Sequence, residues 1–413
     1  MTTQVKSEFL KIMLERGFYN QCTNLEGLDK LLCTEKVTAY TGFDPTADSL
    51  HIGHLVPHMM MRWLQKCGHE AIILAGGVTG LIGDPSFKDE SRKLVTEEFI
   101  NNNAKTIAES FYSFYKEDTI FVNNSEWLKG INYIEFLRDY GVHFSVNKMV
   151  SMESVKQRLD RESHLSFLEF NYMILQGYDF LHLLREKNCR LQISGADQWG
   201  NIIQGIELGR RLEQTELFGF TAPLITLANG KKMGKTEKGA VWLSPNKLTH
   251  YDFYQYFRNT QDADVGKFLR IFTELPISEI EKLEALEGVE INEAKKILAY
   301  EATKIVRGED AAKEAANTAQ KTFEEGVATD GLPTVEVSKS DLDTGITAQE
   351  LFKSSGLVDS NGAMKRLVKG GGAKINDNKI DDEKMLITSE LLLDNGTIKL
   401  SSGKKKHALV KTS

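Results

Sequence analysis

Residues 40–54 read Tyr40-Thr41-Gly42-Phe43-Asp44-Pro45-Thr46-Ala47-Asp48-Ser49-Leu50-His51-Ile52-Gly53-His54. A β-prone run over 36–43 enters a polar turn, and an apolar pattern at helical spacing then runs from about 52 to 67, where Gly68 closes it. The order is strand, loop, helix start. Asp48 or Ser49 is expected to cap that helix, leaving its first free amides facing whatever lies over the strand end. The positive end of a helix favours a phosphate at such a place. His51 and His54 project from the same side of the first turn, and Gly53 between them lets a flat or bulky ligand approach the backbone. Two neighbouring histidines are, by themselves, more often structural than functional. The strand–turn–helix context is what raises their weight.

Outward from this stretch, residues 71–74 form a continuous apolar run entering a glycine-rich turn, as a strand buried on both faces does. Helical patterns cover 7–33, 96–115, 127–140, 152–160 and 167–185, with another strand at 190–193. Strands separated by long helices predict an α/β fold with a Rossmann-like parallel sheet. The character changes after about 245: residues 251–327 are mostly helical and rich in Ala, Glu and Lys. After a break at Gly331-Leu332-Pro333, short strands are expected at 373–375, 397–400 and 407–411. The expected division is 1–228, a Rossmann-like catalytic domain; 229–330, a lysine loop and an α-helical domain; and 331–413, a small α+β domain.

Composition narrows the class. The 413 residues are 41% apolar and 26% charged with seven prolines, which excludes a disordered or collagen-like chain. The longest apolar run, 71–83, carries four glycines and is too short to span a bilayer. Charged Lys6, Glu8, Lys11, Glu15 and Arg16 argue against a signal peptide. Cys22, Cys33, Cys67 and Cys189 form no CxxC pair, so neither a disulfide frame nor a zinc ribbon is supported. A cytoplasmic enzyme without membrane attachment is expected. The net charge of −7 disfavours nonspecific nucleic-acid binding through bulk charge. Residues 333–413 nevertheless hold 13 Lys and Arg against 11 Asp and Glu, and the final thirteen residues contain no acid. A basic module on an acidic body suggests an anionic partner, and a merely solvated tail fits the charge equally well.

A second loop, Lys231-Lys232-Met233-Gly234-Lys235-Thr236, places lysines around a glycine, an arrangement able to close over a polyphosphate. An isolated loop of this kind is usually a solvated turn. His51-Ile52-Gly53-His54 and Lys232-Met233-Gly234-Lys235-Thr236 together resemble the two signatures of class I aminoacyl-tRNA synthetases. Residues 42–50, Gly80-Leu81-Ile82-Gly83-Asp84-Pro85-Ser86, Leu175-Gln176-Gly177-Tyr178-Asp179-Phe180 and Asp197-Gln198-Trp199-Gly200-Asn201 resemble the bacterial-type tyrosyl-tRNA synthetases more narrowly. The resemblance is dense from 5 to about 325 and looser beyond. Within it, Tyr172, Gln176 and Asp179 form a polar stripe on an otherwise apolar helix, and such a stripe needs partners.

The resemblance implies a reaction in two steps. Tyrosine and ATP give tyrosyl-adenylate and pyrophosphate, and tyrosine then passes to the 3′ end of tRNA(Tyr). It implies catalytic roles on the phosphates for His51, His54, Thr46, Lys232, Lys235 and Thr236, helped by Lys88 and Arg92. Gly42, Asp44, Gly53, Gly195 and Asp197 would complete the ATP site, Gly53 as clearance for adenine and Asp197 on the ribose. Tyr40 and Asp179 would hold the phenol hydroxyl, Asp84, Tyr172 and Gln176 the ammonium, and Gln198 the carboxylate side. Mg²⁺ would accompany ATP, with no prosthetic group and no protein metal site. Relatives work as homodimers, and helices around 127–150 are candidates for the interface.

Residues 354–413 resemble a small RNA-binding module, in which Lys365, Arg366, Lys369, Lys404, Lys405 and Lys406 would contact tRNA phosphates. The chain departs from the family at Gly234 and Thr236, at Ser125-Glu126, and at Asn361-Gly362-Ala363, the last within that module. Two other readings remain: the sister tryptophanyl-tRNA synthetase, and a noncatalytic RNA-binding protein built on a synthetase body.

Overall fold

The computed structural model describes residues 5–85, 95–228, 230, 233–236, 239–321, 332–393, 396–403 and 406–412. The chain divides into two compact units, Met1–Lys247 with Thr260–Leu298, and Leu248–Asn259 with Ala299–Ser413.

The first unit is organised by a six-stranded sheet of β1 (Gln21–Cys22), β2 (Thr38–Phe43), β3 (Glu70–Ala75), β4 (Ile120–Asn123), β5 (Cys189–Gly195) and β6 (Phe218–Ala222), in the order β1-β6-β5-β2-β3-β4. All neighbouring pairs are parallel except the edge pair β1–β6. The chain builds from β2 to β4 on one side and returns to β5 on the other. The order therefore reverses between β2 and β5, and the crevice beyond their carboxyl ends is where such a sheet takes a ligand. The parallel sheet is the expected one, and Ala71, Ile72, Ile73 and Leu74 are buried as the apolar run predicts. Strands β1, β4 and β6 were not expected. They are two, four and five residues long, too short for a period to stand out. The helices expected over 7–33 are Glu8–Glu15 and Leu25–Thr34, with the unexpected β1 between them.

Three helices carry the site: α1 (Ile52–Lys66), α2 (Phe167–Lys187) and α3 (Trp199–Leu212). Helix α1 buries Leu55, Val56, Met59, Met60 and Leu64. It ends where Gly68 turns to φ 87°, with the His69 amide donating to the Leu64 carbonyl at 3.2 Å. Helix α2 begins with a reciprocal cap between Ser166 and Glu169 and ends at left-handed Asn188. Helices α2 and α3 pack backbone to backbone. A Cβ on Gly205 would lie 2.8 Å from the Phe180 Cβ, and one on Gly177 would lie 3.3 Å from that of Gln204. That approach buries Phe180 completely, a contribution of roughly 1.5–3 kcal/mol. The expected helix over 127–140 is broken into Ser125–Leu128 and Tyr133–Asp139. Gly130 stands at φ 79° between them, and Asn132 caps the second piece.

In the second unit, helices His250–Arg258 and Glu309–Gln320 pack together. A five-stranded sheet follows, in the order Asn378–Lys379, Ala373–Ile375, Thr397–Ser402, Lys406–Thr412 and Thr334–Val337. Helices Ala348–Ser354 and Asn361–Lys369 share its apolar core through Leu351, Phe352, Met364, Ile398, Leu400 and Val410. The strands expected at 373–375, 397–400 and 407–411 are present, the last two slightly longer. Among the described residues no helix is long and apolar enough to cross a membrane.

Candidate active site

The tip of α1 is built differently from the expectation. His51 itself is the N-cap: its Nδ1 accepts from the Gly53 amide at 3.1 Å, and the His54 Nδ1 accepts from the His51 amide at 3.2 Å. The two imidazoles stand 4.0 Å apart. Asp48 instead pairs with Lys247 at 2.6 Å, and the buried Ser49 hydroxyl accepts from the Ser244 amide at 3.0 Å. The first-turn amides are also occupied, because Ile52 donates to the Val241 carbonyl and His54 to the His51 carbonyl. A phosphate here would meet imidazoles and the helix dipole rather than a row of free amides. A Cβ on Gly53 would come within 2.9 Å of the His51 ring. The glycine therefore protects the histidine's position, whatever else it clears.

The backbone ladder that occupies Ile52 also brings the second signature to the first. Val241 donates to the Gly234 carbonyl at 3.1 Å, and a Cβ on Gly234 would lie 2.8 Å from the Ile52 side chain. Gly234 takes φ 87°, which favours glycine. Lys235–Thr236 pairs with Gly239–Ala240 as a short antiparallel ladder. Only the backbone of Lys235 and Thr236 is described; Lys232, Lys88 and Arg92 lie outside the described residues.

The remaining expected residues converge at the strand ends. Gly42 and Thr46 are exposed beside half-buried Asp44 at the end of β2. Gly195 closes β5, where a Cβ would sit 2.6 Å from the Asp197 carboxylate, so the absence of a side chain there fits Asp197 itself. Asp44 accepts from the Tyr172 hydroxyl at 3.0 Å and from Thr79 at 2.9 Å. It thus touches a residue expected for the amino acid rather than standing apart in the nucleotide half. Asp84 accepts from Gln198 at 2.6 Å, and Asn201 donates to both Gln176 (3.0 Å) and Gln198 (3.2 Å).

Asp179 is the most enclosed of these groups, 1% exposed. It accepts from Asn124 at 3.0 Å and from the Trp127 indole at 2.7 Å. Burial pushes its carboxyl up to about 7; the two donors pull it down and the Asp44 charge pushes it up. Tyr40, equally buried, projects from β2, and among the described residues its hydroxyl has no hydrogen-bond partner. Burial first, then the Asp179 charge, holds that phenol well above its ordinary range. Tyr172 is raised the same way, by burial and then by Asp44 and Asp84. Thr79, Asn124, Trp127 and Asn201 were missed from sequence. The Asn123-Asn124 dipeptide precedes a stretch read only as a departure from the family, and Asn201 closes a quoted motif without having been given a role.

In the second unit Lys365, Arg366 and Lys369 are exposed on helix Asn361–Lys369 and Lys406 opens the strand Lys406–Thr412. Lys365 stands 3.9 Å from Glu383. Lys404 and Lys405 lie outside the described residues.

A profile described as tRNA synthetases class I (W and Y) matches residues 32–324. Two bacterial proteins named tyrosine–tRNA ligase match across 99% of this chain and 99% of their own length. The one from Agrobacterium fabrum is 53% identical and the one from Rhodospirillum rubrum 54%. The chain belongs to the tyrosine–tRNA ligase family of class I synthetases. Among solved structures of such synthetases, the C-terminally truncated mitochondrial tyrosyl-tRNA synthetase of Aspergillus nidulans is 27% identical with a TM-score of 0.70. It covers 77% of this chain and 95% of that one. The corresponding Coccidioides posadasii enzyme is 30% identical, with a TM-score of 0.66 over 76% and 92%.

Proposed function

We propose that this class I tyrosyl-tRNA synthetase performs both half-reactions in the crevice between β2 and β5. The observation that carries the reading is Asp179, a buried carboxylate with two donors already in place, close enough to Tyr40 to act on its phenol, whose hydroxyl has no hydrogen-bond partner among the described residues. A phenol O–H entering there donates to Asp179 and accepts from Tyr40. Asp84, Tyr172 and Gln176 hold the ammonium group, and Gln198 faces the carboxylate. Phenylalanine would leave Asp179 and Tyr40 short of a partner, so exclusion needs no editing step.

The tyrosine carboxylate reaches the crevice already ionised and attacks the α-phosphorus of ATP as pyrophosphate leaves. No general base is required. Positioning and charge stabilisation supply the rate. His51, His54 and Thr46 stabilise the phosphates at the helix tip, Lys232, Lys235 and Thr236 close over the β and γ groups, and Lys88 and Arg92 assist. Gly42, Asp44, Gly53, Gly195 and Asp197 receive the nucleoside, with Mg²⁺ arriving on ATP as part of the substrate. The division 1–228, 229–330 and 331–413 is then functional: chemistry, lysine loop with anticodon-side helices, and RNA module. In the last, Lys365, Arg366, Lys369, Lys404, Lys405 and Lys406 contact tRNA(Tyr) phosphates.

The enzyme works in the cytoplasm as a homodimer. Its interface is the surface carrying Ile134, Val142, Val146 and Phe167, each more than 60% exposed on the isolated chain. The decisive assay is amino-acid-dependent exchange of pyrophosphate into ATP across all twenty amino acids. Tyrosine alone should support exchange. Exchange with tryptophan in its place, or with no amino acid, overturns the reading.

A further inference from the structure

The pocket contains two glutamines, and a glutamine amide presents either its oxygen or its NH₂ at nearly the same cost in shape. Something must choose between the two. Asn201 lies in the first turn of α3 and is 4% exposed. Its amide nitrogen has two hydrogens, and both are spent on carbonyl oxygens: Gln176 Oε1 at 3.0 Å and Gln198 Oε1 at 3.2 Å. Turning Gln198 over would set NH₂ against NH₂ at Asn201. At its other face it would set a carbonyl oxygen against Asp84 Oδ2, where its nitrogen now donates at 2.6 Å. Its orientation is held from both ends. Gln176 comes from α2, and the two helices are close enough for one short side chain to reach both amides because Gly177 and Gly205 let their backbones approach.

We infer that Asn201 is a positioning residue that sets which way the Gln176 and Gln198 amides face, and through them how tightly the pocket holds the ammonium and carboxylate groups of the amino acid. With Asn201 in place, Gln198 keeps a second N–H for a carboxylate oxygen. The Gln176 oxygen keeps a lone pair for an ammonium hydrogen. Asn201 itself touches no reacting atom. The inference rests on the assignment of the two glutamines to tyrosine, so the test separates the two claims.

Steady-state pyrophosphate exchange by the full chain is measured for Asn201→Asp, which has no amide hydrogens to give, and for Asn201→Ala, which keeps the test standing if the aspartate variant fails to fold. Each is also made in a Gln176→Ala, Gln198→Ala background. Asn201→Ala should raise KM for tyrosine about tenfold, the scale of one or two lost hydrogen bonds. KM for ATP should stay within about twofold, and Asn201→Asp should exceed Asn201→Ala. In the double-alanine background the same change should cost less than about twofold, because the groups it orients are gone. An equal cost in both backgrounds, or equal rises in KM for tyrosine and ATP, overturns the inference and leaves the pocket assignment intact. If the double-alanine protein itself binds tyrosine normally, the pocket assignment falls and the inference with it.

Discussion

At one end of the crevice Asp179 is 1% exposed and already accepts from Asn124 and Trp127, with buried Tyr40 beside it. At the other end His51 and His54 are half-buried and Gly53 and Thr46 exposed, and the hydrogen bonds around them hold the helix tip together rather than awaiting a ligand. The difference fits what the proposed function asks each end to recognise. A neutral hydroxyl differs from a hydrogen by one weak polar group, and it is read only where water cannot substitute and an unpaired carboxylate is costly. A polyphosphate brings several charges, which a helix dipole and imidazoles can attract even at a wet surface. Under the proposed function, selectivity belongs to the dry end and rate to the wet one.

The largest test of that division is Asp179→Ala. Removing a buried, charge-bearing acceptor should lower kcat/KM for tyrosine by about 10³-fold. The preference for tyrosine over phenylalanine should shrink with it, while KM for ATP stays within about threefold. Loss of ATP binding in parallel would show that the two ends are not separate. The converse is His54→Ala. Loss of one positioned stabilising group at the phosphates should cut kcat about 10²-fold with KM for tyrosine nearly unchanged. A tyrosine KM that rises while kcat holds would move His54 out of the phosphate site.

The two ends were also unequally legible in sequence. The helix tip is local: strand, turn, histidines and glycine lie within fifteen residues, so the strand–turn–helix context marked it and the resemblance gave it a role. The choice of cap was missed, because a histidine imidazole accepting from its own first turn replaces the Asp48 or Ser49 that propensity favours. The pocket is assembled from β2, α2, α3 and the chain after β4, which are distant in sequence. Tyr172, Gln176 and Asp179 could be read because helical spacing puts them on one face. Asn124, Trp127 and Thr79 carry no spacing signal, since their partners lie far off in sequence; Asn201 stands only three residues after its partner Gln198, but its second partner, Gln176, comes from α2. The short strands β1, β4 and β6 escaped for a related reason: pairing with neighbours distant in sequence, and not their own pattern, makes them strands.

The raised carboxyl of Asp179 gives a smaller effect of definite sign. Between about pH 4 and 7 the folded chain holds a proton there that the unfolded chain releases, so stability falls as pH rises through that window. A carboxyl moved from 3.8 to about 7 costs at most about 4 kcal/mol once ionised. Asp179→Asn should flatten this part of the urea-unfolding stability curve and leave the protein more stable than wild type at pH 8. A curve of unchanged slope would mean that Asp179 is not the group responsible.

The smallest effect asks whether the dry end is tuned or merely dry. Trp127 contributes one hydrogen bond to Asp179 at 2.7 Å and stacks on His182 with ring centres 4.3 Å apart. Trp127→Phe preserves an aromatic ring for that stacking and deletes only the donor. If burial alone governed Asp179, the pH dependence of tyrosine binding would not move. Because the indole favours the ionised carboxylate, its loss should shift the acid limb of kcat/KM for tyrosine to higher pH. The accepting form then becomes scarcer near neutrality, giving a three- to tenfold deficit at pH 7 that narrows toward pH 9, about the value of one hydrogen bond to a charged group. A deficit that stays constant from pH 6 to 9 would assign Trp127 to packing and leave burial as the sole control of the phenol site.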